Sequence, residues 1–257
     1  MFDGSNFTYG TKSSEEFGVI LVKFDTANSD SIDESTNIIT TKNVKSRKFD
    51  LHGVIMESPL TFEITVSKAN GDYMDTLEEE RIKKWLCKNS WDFLTVDKSD
   101  MMDKTYCCIL NNPKRIKIAE NIAGLSFSVT CNSNVAWSKL HKLSYTSKDT
   151  LLFRFHYNSK FQNESLHPIL IIRPTSDGNI SIKNNTTNKI LTLNNCINGE
   201  TIIFDGENET FESNNGRNIL GNWNETFISM VDGNNDITLT GKFNLTMEYR
   251  LPVRIGG

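Results

Sequence analysis

The run nearest to a metal-binding motif is Asp232-x-Asn234-x-Asp236, three oxygen-bearing side chains at alternate positions, as at the start of a calcium loop. The match stops there. The sixth position is Ile237, where such a loop needs Gly, and the twelfth is Phe243, where it needs a bidentate Glu. The segment is therefore expected to be a hairpin turn. Asp205, Glu207 and Glu209 crowd a Gly- and Asn-rich stretch, and glycoside hydrolysis uses carboxylate pairs; their setting predicts solvated turn residues instead. Trp223, in Gly221-Asn222-Trp223-Asn224, could stack on a sugar ring, which would suit the alternative reading of the chain as a carbohydrate-binding, lectin-like β-sandwich protein, or cap an apolar core. His52, His141, His156 and His167 show no HxxxH or HExxH spacing, and GxSxG, GxGxxG and P-loop patterns are absent. No catalytic, cofactor-binding or metal-binding residue is assigned, and no cofactor is expected.

The five cysteines, Cys87, Cys107, Cys108, Cys131 and Cys196, include an adjacent pair and no CxxC spacing. That pattern fits neither a disulfide framework nor a zinc site, so reduced thiols are expected. Asn-x-Ser/Thr sequons recur, for example at Asn6, Asn163, Asn208 and Asn244, and would carry glycans only in a secreted chain. Met1 to Asn6 has no basic start or apolar stretch, so the expectation is a soluble protein made in a cytoplasm. A net charge of −4 and a pI near 5.7 weigh against a protein that wraps DNA by counterion release. With 37% apolar residues and 15 Phe, the 257-residue chain can build two cores. No apolar run approaches the roughly 18 residues of a membrane span.

Periodicity places the elements. A strand is predicted over Gly18 to Phe24 and a clearer one over Leu60 to Val66. Between them lies a polar stretch, Asp25 to Lys48, acidic first (Asp25, Asp30, Asp33, Glu34) and basic later (Lys42, Lys45, Arg47, Lys48). It reads as a disordered loop or as an extended β-arm. A helix is predicted over about 73–89, with Asp72 as N-cap. Its apolar stripe is Tyr73, Leu77, Ile82, Trp85 and Leu86, with Glu78, Glu79, Glu80, Lys83 and Lys84 opposite. Strands follow at Trp91–Val96, Lys104–Leu110, Lys114–Ile118 and Leu125–Cys131, with Asn111-Asn112-Pro113 as a turn.

From Asn132 to Ser147 the alternation lapses, so the boundary between residues 1–140 and 141–257 is placed there. About nine strands without helices follow, from Leu151 to Arg250, one of them at Thr226–Met230. This spacing means a β-sandwich or barrel. Asn198-Gly199 predicts a type I′ hairpin. The fold class is mainly β with one helix.

The order of these landmarks resembles the distal tail proteins of long-tailed phages infecting Gram-positive bacteria. The likeness begins with Phe2-Asp3-Gly4, Phe17-Gly18-Val19-Ile20-Leu21 and Ile82-Lys83-Lys84-Trp85-Leu86. It continues through Phe127-Ser128-Val129-Thr130-Cys131, Ala136-Trp137-Ser138, Asn198-Gly199-Glu200, Val231-Asp232-Gly233 and Met247-Glu248-Tyr249-Arg250. The resemblance implies a ring-forming, tail-tube-like N-terminal β-domain and a galectin-like C-terminal sandwich. It further implies a homo-hexamer, single or as two stacked rings, at the virion's tail tip. Implied partners are the major tail tube protein, the tail-associated hub or fibre protein, and receptor-binding or baseplate proteins. DNA would only pass through the lumen, and no membrane is involved.

Overall fold

The computed structural model describes residues 4–23, 37–44, 48–56, 59–99, 101–158 and 165–253, the stretches 37–44 and 48–56 by backbone alone. The chain divides into two compact units, Met1–Ser138 with Val253–Gly257, and Lys139–Pro252.

In the first unit the strands are β1 (Phe7–Tyr9), β2 (Lys12–Ser13), β3 (Val19–Leu21), β4 (Asn37–Val44), β5 (Lys48–Met56), β6 (Thr61–Lys68), β7 (Asp92–Val96), β8 (Thr105–Ile118), β9 (Asn121–Cys131) and β10 (Ala136–Trp137). The main sheet runs β2-β1-β7-β8-β9-β6-β3. Just ahead of β1, Ser5 bridges Leu21 of β3: the Leu21 N–H donates to Ser5 O at 2.9 Å, and the Gly4 N–H donates to Leu21 O at 2.8 Å. That bridge joins the two ends of the path from β1 to β3, closing a six-stranded barrel and covering both of its edges. Alternate residues point inward and are buried, among them Ile64 and Val66, Leu94 and Val96, and Leu125, Phe127 and Val129. Phe24, at the end of the strand expected from Gly18, lies outside the described residues.

Helix α1 (Thr76–Leu86) is shorter than expected, and its N-cap is Asp75 rather than Asp72. Asp75 Oδ1 accepts from the Glu78 N–H at 2.8 Å while Glu78 Oε2 accepts from the Asp75 N–H at 3.0 Å, a reciprocal pair that satisfies two orphan donors. Asp72 instead accepts from the Asn70 side-chain amide at 2.7 Å. Ile82, Trp85 and Leu86 are buried as expected, but Leu77 is 72% exposed and Tyr73, ahead of the helix, 48%. Trp85 fixes the helix: its ring stacks on Phe17 at 4.2 Å and Phe7 at 5.3 Å, and its Nε1–H donates to Tyr9 O at 3.1 Å.

No turn forms at Asn111-Asn112-Pro113. Strand β8 continues through it with a bulge between Asn111 and Lys114, where Pro113, lacking an N–H, costs no ladder bond. The chain reverses at Ala119 and Glu120, both at positive φ (46° and 71°), the conformation of a two-residue hairpin.

In the second unit the strands are β11 (His141–Ser147), β12 (Thr150–Tyr157), β13 (Ile169–Pro174), β14 (Gly178–Asn184), β15 (Lys189–Cys196), β16 (Ile202–Asp205), β17 (Thr210–Ser213), β18 (Gly233–Thr240) and β19 (Phe243–Tyr249). They make two antiparallel sheets, β11-β19-β13-β16-β17 and β12-β18-β14-β15. One core takes side chains from both, with Ile180, Ile182, Leu191, Leu193 and Leu239 meeting Leu170, Ile172, Phe204, Phe243 and Leu245. This is a sandwich. A last pair, β20 (Pro252–Val253), joins β10 in the first unit's sheet.

Four expectations for this unit are corrected. Strand β11 lies inside the expected polar boundary; Leu143 and Tyr145 pack against the core while its other face is exposed. Asn198-Gly199 does not join a hairpin, because β15 and β16 belong to different sheets. Only Gly199 has positive φ, at 79°, and the Glu200 N–H donates to Ile197 O at 3.1 Å, so the turn is of type II and carries the chain across the sandwich. Thr226–Met230 is no strand, pairing only through the Leu166–Met230 bridge. Asn234 and Asp236 are not in a turn either but within β18, opposite His156 and Arg154.

Candidate assembly surfaces

Strands β8 and β9 extend beyond the barrel's covered part. Asn111 to Glu120 are exposed except for the half-buried Ile116, so both faces of this strand segment meet solvent while its ladder persists. Such a hairpin needs an anchor. Glu79 of α1 supplies it: Arg115 Nε–H donates to both carboxylate oxygens, at 2.8 and 3.0 Å, and Lys83 completes the group. Only 1% of the Glu79 side chain is exposed. The Arg115 hydrogen bond lowers its carboxyl below the ordinary value of 4.5, against the opposing effect of burial. A second tie is the Met74 N–H donating to Ile122 O at 2.8 Å. Lys114 and Lys117 lie along the hairpin with Glu63 and Glu120 at 3.7 and 3.6 Å, exposed pairs that add little stability. Tyr73, Leu77 and Ile118 give the helix start and the hairpin exposed apolar surface.

Sequence periodicity placed Glu79 on the solvent face of α1. Its partner is 36 residues away on a strand the sequence broke in two, so no local signal could pair them.

The polar stretch between the first strands contains β4 and reaches the first residue of β5. Strands β4 and β5 pair antiparallel with a shift at Thr40/Thr41, and among the described residues this ladder joins no other sheet. Lys42 and Lys48 fall in it; Asp25, Asp30, Asp33, Glu34, Lys45 and Arg47 lie outside the described residues, as do Met1, Phe2 and Asp3.

In the second unit the candidates for chemistry resolve into structure. Asp205 accepts from the Glu207 and Asn208 N–H groups at 3.0 and 3.1 Å and from the Asn208 amide at 2.7 Å, shaping a turn beside exposed Glu207 and Glu209. Trp223 packs against Phe211 and Phe227 at 4.6 and 5.1 Å and donates its Nε1–H to Thr226 O at 3.3 Å. Those contacts make it a core cap rather than a free stacking platform. The Arg154 guanidinium donates to Asp236 at 2.7 and 3.3 Å, and His156 Nδ1 meets Asn234 Oδ1 at 2.9 Å. Glu200, buried at the crossover turn, accepts from Ser213 Oγ at 2.6 Å and Arg217 Nη2 at 2.9 Å. His141 stacks on Tyr249 at 5.1 Å. Among the described residues no three His, Cys, Asp or Glu side chains converge to hold a metal ion, and no helix is long and apolar enough to cross a membrane. What both units offer is surface.

Residues 2–133 match the family model of a phage tail protein N-terminal domain, and residues 135–249 that of a phage tail C-terminal domain. The chain belongs to the phage tail proteins. Among solved structures, this tail protein is similar to the Dit protein of phage SPP1, described as a paradigm of hub adsorption apparatus in phages infecting Gram-positive bacteria. Identity there is 10%, the TM-score is 0.63, and 96% of this chain and 99% of that chain are covered. It is also similar to chains of the phage p2 baseplate in its activated conformation. The strontium form gives 8% identity and a TM-score of 0.55 over 95% and 97% of the two chains. The calcium form gives 9% and 0.53 over 95% and 98%. At these identities the shared property is the fold. No curated protein matches the sequence. The chain is thus a phage tail protein and a component of the virion, and its mainly β fold, with a single α-helix among the described residues, is shared with SPP1 Dit.

Proposed function

We propose that this tail protein forms a hexameric ring joining the tail tube to the hub at the tail tip, and that the ring is a docking platform for receptor-binding or baseplate proteins. The observation that carries the reading is the end-to-end overlap with SPP1 Dit, which takes in both units with almost nothing left over in either chain. The first unit suits a ring. Its barrel has no open seam, so association falls to what projects: the β8–β9 hairpin and the β4–β5 ladder acting as an arm onto the next subunit. One side of the ring meets the last layer of tube protein and the other the tail-associated hub or fibre. The second unit presents its sheet faces and loops to receptor-binding proteins.

DNA passes through the lumen without being held. Six copies of a chain of net charge −4 sum to about −24, which favours a lumen that does not bind phosphates. Synthesis is in the host cytoplasm, and no membrane takes part. Negative-stain microscopy of the purified chain tests the proposal. A six-fold annulus with an open centre is expected; uniform small particles at micromolar concentration would overturn it.

A further inference from the structure

Cys107 and Cys108 are neighbours in sequence, but strand geometry sends them to opposite faces of the barrel wall. Cys107 is half-buried. Cys108 is turned into the core at 0% exposure and faces Cys131 of β9, at 1%. The register pairs them directly. The adjacent ladder bond runs from the Asn132 N–H to Cys107 O at 2.9 Å, whereas the Cys131 N–H turns away to Leu60 O at 2.9 Å. Cys108 and Cys131 therefore occupy a non-hydrogen-bonded site, where facing Cα atoms stand about 4.5 Å apart. A disulfide spans Cα separations of about 4.4–6.8 Å. Both side chains are buried on the inner face of the barrel wall, opposite each other across the ladder.

We propose that Cys108 and Cys131 are a latent cross-strand disulfide, closed by hydrogen peroxide or a related small oxidant once the virion has left the reducing interior of the cell. One sulfur, as thiolate, attacks the peroxide O–O bond and becomes a sulfenic acid, and the departing hydroxide takes up a proton. The second sulfur displaces the sulfenic oxygen, the S–S bond forms and water leaves. Two thiols and one peroxide give one disulfide and two waters, the sulfurs losing two electrons and the peroxide gaining them. Three features single out this pair. Cys107 points to the other face, Cys87 lies beyond the end of α1, and Cys196 belongs to the second unit.

The closure is slow by design of the site. The neighbouring Cys131 thiol, together with burial, holds the Cys108 thiol far above its ordinary value, so little thiolate is present at neutral pH. Once formed, the bond crosses the root of the β8–β9 hairpin and closes a loop of about 24 residues, removing freedom from the unfolded chain. It would harden the element from which the exposed hairpin projects. The inference concerns one subunit and stands whether or not the ring reading does.

The test uses the full chain, purified reduced, incubated with hydrogen peroxide, then denatured, alkylated with iodoacetamide and mapped by peptide mass spectrometry. The expected product is a Cys108–Cys131 linked peptide, reversed by dithiothreitol and retained in Cys107→Ser. The oxidised protein should melt about 5 °C higher than the reduced one. Recovery of both cysteines alkylated, a linkage through Cys107 instead, or sulfinic acid at either position would overturn the proposal.

Discussion

Two segments, one in each unit, are held down by different chemistry. In the barrel unit the exposed half of β8–β9 is tied to α1 by charge, the buried Glu79 carboxylate against Arg115 and Lys83. In the sandwich the chain from Ile228 to Val231 forms no strand and is held by neutral amides. Asn184 Nδ2–H donates to Ser229 O at 2.9 Å and to Asn235 Oδ1 at 3.0 Å, while Asn235 Oδ1 accepts from the Val231 N–H at 2.9 Å and its Nδ2–H donates to Val231 O at 2.8 Å. Both asparagines are fully buried. A charged anchor works only while ionised, whereas a satisfied amide pair is indifferent to pH. The β8–β9 hairpin can therefore be loosened by acid, whereas the Ile228–Val231 segment cannot.

The largest effect should separate the units. Trp85→Ala removes a buried ring stacked on Phe17 and Phe7 together with its hydrogen bond, at a cost of about 3–5 kcal/mol. In calorimetry the barrel's transition should fall while the sandwich's stays; an equal drop in both would mean the units do not unfold separately. Next, Asn235→Ala strands Val231 and leaves Asn184 short of a partner, costing about 1–3 kcal/mol, confined to the sandwich.

Acid acts on the charged anchor. Because the folded Glu79 carboxyl titrates below 4.5, its contribution is full above that pH and lost as pH falls through the folded value. Hydrogen exchange should show the β8–β9 amides losing protection below about pH 4.5, with Glu79→Gln already loosened by about 1–2 kcal/mol at neutral pH. Amides around Ser229 should be unchanged. Glu200 adds an acid-sensitive spot within the sandwich. Burial pushes its carboxyl up, but Arg217, Ser213 and the Ile197 N–H more than offset this and leave it lowered, so the crossover turn should loosen in the same window. If the Asn-held segment opened with acid as fast as the hairpin, the contrast would fail. The smallest effect is a gain. The Ser147 hydroxyl is buried with no hydrogen-bond partner, so Ser147→Ala should stabilise the sandwich by up to about 1 kcal/mol, read as a small rise in its melting temperature.

These anchors are what the sequence hid. Alternation exposed β6, β9, β12 and β19, since a strand with one buried face must repeat every second residue. Helix α1 showed through its Ile82, Trp85 and Leu86 stripe. The errors fall where a tertiary partner overrides local pattern. Asn111-Asn112-Pro113 has turn chemistry, yet pairing with Ser126 and Ser128 carries β8 through it. Asn198-Gly199 has the composition of a hairpin, but the buried Glu200 beside it fixes a crossover. Thr226 to Met230 alternates like a strand but is held instead by scattered partners, the Trp223 indole at Thr226 O, the Asn184 amide at Ser229 O and the Leu166 backbone at Met230. The family was legible from the order of landmarks, while the surfaces that would meet partners had no motif, because they are defined by what the fold leaves uncovered.

Sedimentation of the purified full chain at micromolar concentration measures the central claim most directly. The account predicts a species of about 175 kDa, six chains of 29.2 kDa, or twice that mass for two stacked rings. A single species at the mass of one chain, unchanged on concentrating the sample, would contradict it.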